Sequence, residues 1–291
     1  MFEVIFLLSL ATVWLIFASI QDLRYREVAN WLNFSLIIFV LGFRFFYSLF
    51  IENFAFFYQG LIGLAIFFAI GNLLYYGRMF AGGDAKLMIA LGVILPISDS
   101  LAVNAQIFVS FFFFFLFIGG IYGLGWSFYL PLKNIKSYKK HFRIIFAKSK
   151  RINISVMLLG MAIMVSGFYN SIFFFLGLFI FFLPYFYLHA KTVDESCLIK
   201  KVNSKNLVEG DWLYADLKVG KKIFKANWHG LTHKQIKEIQ KKHKSINVRQ
   251  GIPFVPVFLI SFLALFYVYF FNYEIIEFLL RGFFLGAIPF L

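Results

Sequence analysis

Charged residues are scarce in this sequence. They make up 14% of the 291 residues, against 61% hydrophobic residues and 44 phenylalanines. That is too little charge to cover the surface of a water-soluble protein of this length. The long apolar runs point instead to a polytopic membrane protein, since about 20 apolar residues cross the hydrocarbon layer. Cysteine is rarer still. A single Cys197 provides no disulfide framework and no thiolate zinc site. Acidic residues number 14 against 28 Lys and Arg, so an aspartate at the end of an apolar run stands out. There is no internal repeat.

The apolar runs that are present predict spans at about 4–20, 31–50, 54–76, 85–103, 105–130, 152–168, 171–190 and 253–271. The segment 275–291 carries Glu277 and Arg281 and reads either as a ninth span or as an interfacial helix. The first run lacks a basic head, so it is expected to be a retained span and not a cleaved leader. The phenylalanine runs Phe111–Phe115 and Phe173–Phe175 read as lipid-facing filler.

The basic residues are concentrated. Eight lie between Leu132 and Arg151 with no acidic residue among them, and fourteen lie between Lys191 and Gln250 against six acidic ones. Lys/Arg-rich loops stay on the cytoplasmic side. Alternation then puts 21–30 and 77–86 inside as well, and leaves Arg44 as the one basic residue approaching the outer side. Membrane topology alone accounts for the charge, so no nucleic-acid partner is expected. The fold class is therefore an all-α polytopic membrane helix bundle of about eight spans, or nine, with a small cytoplasmic insert. Its divisions are a membrane core at 1–130, a basic cytoplasmic loop at 131–151, two further spans at 152–190, a soluble insert at 191–250 and C-terminal membrane segments at 251–291. Within the insert, "HGLTHKQIKEIQKKHK" reads as a helix entered through Thr232, with Ile236 and Ile239 on one face.

Two carboxylates fall on the inner side. Asp84 lies in "FAGGDAKLMIALG", at the start of the fourth run, and Asp22 lies in "SIQDLRYREVANWLN", at the end of the first. A charge at the edge of a membrane segment is costly and usually functional. Two carboxylates brought close cannot both ionise easily, so one holds a proton while the other activates water. Gly82 and Gly83 would leave room beside Asp84 for a substrate backbone. The plainer reading is also open: Asp84 is an N-terminal helix aspartate in a glycine loop, and Asp22 an interfacial charge beside Arg24 or Arg26.

"GGDAKLMIALG" resembles the second motif of the prepilin peptidases, membrane aspartyl proteases marked by Gly-x-Gly-Asp with a lysine two residues on. "DLRYREVANWLN", from Asp22 to Asn33, resembles their first motif, an aspartate followed by a Val/Ile-Pro-Asn group. The matching positions are Asp22, Val28, Asn30, Gly83, Asp84 and Lys86. Ala81 stands for the outer glycine, and Ala29 for the proline. The bacterial zinc-binding cysteine pairs are missing, which resembles the archaeal branch. "GIPFVPVFLISFL", "LVEGDWL" and "GLTHKQI" resemble an extension of some archaeal members.

The resemblance implies a membrane-embedded aspartyl endopeptidase that removes the basic leader from prepilin- or preflagellin-like precursors. Asp22 and Asp84 would be catalytic, with Gly82, Gly83, Lys86 and Asn30 in support. No cofactor and no metal are implied, and the site would face the cytoplasm from the cell membrane. The sixty-residue insert is expected to contact anionic lipid or steer the precursor.

Other chemistries fit less well. His229 and His233 are four apart but have glycine where a zinc protease needs glutamate. Met164–Gly167 lacks the first glycine of a rhomboid serine motif. A presenilin-type protease has tyrosine before its first aspartate, where this chain has Gln21. A transporter would carry acidic groups near mid-membrane; here they lie at the ends of the runs.

Overall fold

The computed structural model describes residues 2–220, 222–227, 229–272 and 274. The segment 275–291, expected as a ninth span or interfacial helix, lies outside the described residues. Among the described residues, six helices are long and apolar enough to cross a membrane: α1 (Phe2–Tyr25), α2 (Asn30–Phe50), α3 (Ala55–Tyr76), α5 (Leu101–Lys133), α6 (Ile135–Val165, with a short 3-10 extension to Phe168) and α7 (Ser171–Cys197). The helix α4 (Gly82–Gly92) has 11 residues. After the insert come α8 (His233–Lys242) and α9 (Val255–Phe271).

The chain divides into two compact units, one containing residues up to Tyr122 together with those from Pro253 onward, the other Gly123–Ile252. In the first unit, α9 packs on α1, and α3 packs on α4. The interior is apolar, with Leu7, Leu15, Leu36, Phe67, Met88, Leu91, Phe111, Phe258 and Phe262 fully or almost fully buried. Phe111 and Phe115 therefore belong to the core, where Phe115 lies 4.7 Å from the Phe258 ring. Phe173–Phe175 are exposed, as expected of a lipid-facing run. Composition alone does not separate the two cases; the face on which a partner helix sits does.

The predicted fourth span, 85–103, is shorter than expected. α4 ends at Gly92, and residues 93–100 run on without helix to the start of α5. Pro96 cannot continue a helix. The turn that follows is tied by Asn104, whose side-chain oxygen accepts from the Ile97 and Ser98 amides at 3.1 Å. Its amide group donates to Gln59 and to the Ser98 carbonyl.

Glycines let α3 approach α4 closely. A Cβ on Gly63 would lie 2.2 Å from the Gly92 carbonyl oxygen and 2.6 Å from Pro96, and one on Gly92 would lie 2.4 Å from Phe67 Cβ. Between helices in lipid, where water gives no drive to associate, such close contact supplies the packing energy. Gly63→Ala should therefore lower stability in lipid nanodiscs by about 1–3 kcal/mol through overpacking. Gly42→Ala, where a Cβ meets nothing within 4 Å, should leave it unchanged or slightly raise it. Thermal unfolding of both variants checks the pair, and equal melting temperatures would contradict the packing argument.

In the second unit, α6 and α7 pack closely through Gly160 and Gly177; a Cβ on Gly177 would lie 2.4 Å from the Met164 backbone nitrogen. Residues 131–151, expected as a basic loop, are helical apart from a break at Asn134. Lys and Arg are good helix formers, so charge density alone does not make a loop.

The insert has more strand than the all-α expectation allowed. It contains β1 (Ile199–Asn203), β2 (Trp212–Leu213), β3 (Leu217–Val219), β4 (Lys222–Phe224) and β5 (Ser245–Arg249). β5 lies antiparallel between β1 and β2, pairing Lys200 with Val248 and Leu213 with Val248. β3 and β4 form a hairpin, entered through Gly220 at φ 64. The helix at Thr232 is as predicted. Thr232 and Gln235 form a capping box, and Ile236 and Ile239 enter a small core with Leu207, Leu213, Ile246 and Val248.

Candidate active site

Asp22 sits in the last turn of α1 and is buried. Beyond it the chain turns at Arg26, at φ 60, and enters α2 through Val28, Ala29 and Asn30. Gln21 holds that turn, its side-chain oxygen accepting from the Ala29 amide at 3.1 Å. An apolar residue, Val28, is buried beneath it.

The start of α4 meets the same turn. Gly82 and Gly83 are its first two residues and Asp84 its third. A Cβ on Gly83 would stand 3.8 Å from the Val28 amide nitrogen, and one on Gly82 3.8 Å from the Tyr75 ring. Both are ordinary contacts, and neither glycine has a positive φ. The fold itself therefore does not require glycine at these two positions. Lys86 Nζ donates to Asn30 Oδ1 at 2.6 Å, bridging 56 residues of sequence.

Asp84 keeps part of its surface accessible, yet its carboxyl is crowded enough by protein that burial, first, and the Asp22 carboxylate, second, push its pKa up to about 7. All of Asp22, Asp84, Gly82, Gly83, Lys86 and Asn30 belong to one neighbourhood at the adjoining ends of α1, α2 and α4.

One participant carries no sequence signal. The Val255 amide, the first of α9, donates to Asp22 Oδ2 at 2.9 Å across 233 residues. The stretch "GIPFVPVFL" shows a helix start through Pro256 near its first turn, but an amide donor has no side chain to announce it.

A groove of about 860 Å³ runs beside the site between α2, α3 and α4. It is lined mainly by apolar side chains with Asn33, Asn72, Tyr75, Gly82 and Lys86. The buried side chain of Asn33 has no hydrogen-bond partner there. His229 and His233 lie far along the chain in the insert, where the His233 amide donates to Glu209. Among the described residues, no three His, Cys, Asp or Glu side chains cluster as a metal site would require.

Comparison with known proteins places these residues in context. Residues 9–124 match the type IV leader peptidase family. The preflagellin peptidase of Methanococcus maripaludis is 27% identical over 154 residues, covering 48% of this chain and 66% of that protein. The preflagellin peptidase of Methanocaldococcus jannaschii is 30% identical over 82 residues, covering 28% of this chain and 35% of that protein. The match thus spans just under two thirds of one relative and about a third of the other. No solved structure gives a significant match. Residues 9–124, which hold both aspartates, Asn30 and Lys86, are thus similar to the type IV leader peptidase family.

Proposed function

We propose that this protein is a membrane aspartyl endopeptidase that removes a basic leader from preflagellin- or prepilin-like precursors, with Asp22 and Asp84 as its hydrolytic pair. The observation that carries the reading is the convergence of the two motifs. Lys86 reaches Asn30 across 56 residues, and the start of α4 at Gly83 meets Val28 of the turn that follows Asp22. A pair sharing one proton has what peptide hydrolysis needs. The ionised carboxylate takes a proton from water as the water oxygen attacks the scissile carbonyl carbon. The protonated carboxyl gives its proton to the carbonyl oxygen. When the tetrahedral intermediate collapses, the C–N bond breaks and the leaving nitrogen takes up a proton from the pair.

Two features support a peptide substrate. Glycine at 82 and 83 is required neither by packing nor by a positive φ, which leaves the close approach of a substrate backbone as a reason for it. The apolar groove beside Lys86 suits the hydrophobic segment that follows a leader. The distribution of Lys and Arg supports a site on the cytoplasmic face, with the lipid bilayer as surroundings and no nucleic acid involved.

The test is direct. Purified protein in nanodiscs should cut a synthetic precursor, with a basic leader followed by a hydrophobic segment, at one bond. A strong chelator should leave the rate unchanged, because the proposed chemistry uses carboxylates only. Failure to cut any such precursor would refute the reading. Loss of cutting on chelation, restored by zinc, would shift the chemistry to a metal and towards His229 and His233.

A further inference from the structure

Helix position alone would put the resting negative charge on Asp84. It lies at the N-terminal end of α4, where the dipole is positive, whereas Asp22 lies at the C-terminal end of α1. The contact from α9 argues the other way, and it is local and directed.

We infer that the first turn of α9 is a positioning element of the hydrolytic pair: the Val255 amide holds Asp22 as the ionised, water-activating carboxylate and leaves the shared proton on Asp84. This rests on the hydrolytic reading above. A backbone N–H donated to a carboxylate oxygen favours its charged form. As the first residue of α9, Val255 has no intrahelical acceptor for its amide, so Asp22 caps α9 while α9 fixes Asp22. The positive end of the α9 dipole adds to the same preference. The carboxyl is largely buried, so bulk water competes with this donor less than at an exposed site, while one oxygen remains for the reacting water.

The surrounding charges are few. Arg26 follows Asp22 at the end of the same helix, and Arg24 and Glu27 are exposed. From α4 come Asp84 and Lys86, the latter taken by Asn30. α2 contributes no ionisable group to its first turns, and the described part of α9, Val255–Phe271, has no acid or base facing the pair.

α9 lies outside residues 9–124, the part that matches the family model, yet it would be required for the charge state of a residue inside that part.

The test exchanges the Val255 amide for an ester, by incorporating the corresponding α-hydroxy acid into the full chain. This deletes the N–H and keeps the side chain. The pH–rate profile for precursor cleavage is then compared with wild type. If Asp22 is the ionised partner, its ionisation sets the acid limb, and loss of the donor should move that limb to higher pH by about one unit. The alkaline limb should stay in place. The same exchange at Leu259 removes an ordinary intrahelical bond and should move neither limb. In the unaltered protein, the Val255 amide proton resonance should titrate with the acid limb.

An unmoved profile in a folded variant, movement of the alkaline limb alone, or a Val255 resonance indifferent to the acid limb overturns the inference. These outcomes are distinct from failure of the protease reading, which would appear as no cleavage by the wild type.

Discussion

Asp22→Asn and Asp84→Asn should each abolish precursor cleavage while the protein remains folded in the membrane. Asparagine is nearly the same size as aspartate but cannot exchange a proton with water or substrate. General acid–base groups typically contribute about 10²- to 10⁴-fold each. In the proposed mechanism the two carboxylates share one proton and act as a unit, so each single variant should approach the loss of the double variant. Asp99→Asn is the control. Asp99 lies in the turn before α5, where its backbone carbonyl accepts from Gln59, so the side chain can change without loss of that bond. It should cut at the wild-type rate. The measurement is single-turnover cleavage in nanodiscs, with thermal unfolding beside it. Substantial activity in either folded dyad variant would remove the two-carboxylate mechanism.

These two substitutions also separate structural from chemical roles. In Asp22→Asn the new side chain would still accept from the Val255 amide through its carbonyl oxygen, so α9 keeps its cap. Activity lost without a fall in melting temperature would therefore point to proton chemistry at position 22. A fall in melting temperature of several degrees would show that the charge itself is needed for the cap.

What the sequence reveals here depends on whether the signal sits in a side chain. Asp22 and Asp84 stood out as candidates because polar groups are rare at the ends of apolar runs, whereas Lys86 and Asn30 were singled out only by the resemblance of the two motifs. The start of α8 was legible from side chains too, since Thr232 and Gln235 cap it with their own. The early end of α4 was not. The run 85–103 stays apolar past Gly92, and hydropathy does not register backbone carbonyls that have left the helix. The strands of the insert were obscured because "IKKVN" and "LKVGKKIF" carry many lysines, which disguise alternating apolar positions such as Val202, Val219 and Phe224. The part played by α9 at Asp22 was hidden most completely, because the donor is a main-chain amide 233 residues away.

Arg44 belongs to the same class and should give the largest effect on stability. It stood out as a lone basic residue in an apolar span, expected to approach the outer side of the membrane. Within the protein it is fully buried. Its Nε donates to the Val93 carbonyl at 2.9 Å, Nη1 to Phe56 at 2.7 Å, and Nη2 to Ile94 at 3.4 Å and to Pro96. Its guanidinium also lies over the Phe56 ring at 4.2 Å. Three of those acceptors lie just beyond α4, where carbonyls have lost helical partners and no water is at hand. Gly60 clears the path, since a Cβ there would lie 2.6 Å from Arg44 Cδ.

Two terms oppose each other when this arginine is removed. Burying a lone charge is expensive, so Arg44→Met relieves a desolvation cost. The carbonyls that remain are backbone and cannot be removed with it, and each buried unpaired acceptor costs about 1–3 kcal/mol. With four acceptors the second term should win, giving a net loss of at least about 3 kcal/mol. Arg44→Lys keeps the charge but offers a compact ammonium in place of the planar fork that reaches acceptors on both sides, so it should fall between wild type and Arg44→Met. Gly60→Ala should destabilise by crowding the same side chain. Thermal unfolding in nanodiscs gives the order, and cleavage gives the functional consequence: α4 carries Asp84 at its other end, so release of its C-terminal anchor should slow catalysis even in the fraction that stays folded. An Arg44→Met protein as stable as wild type would mean that the buried charge costs as much as its four hydrogen bonds return, and the anchoring of α4 would have to be sought in the glycine packing against α3 instead.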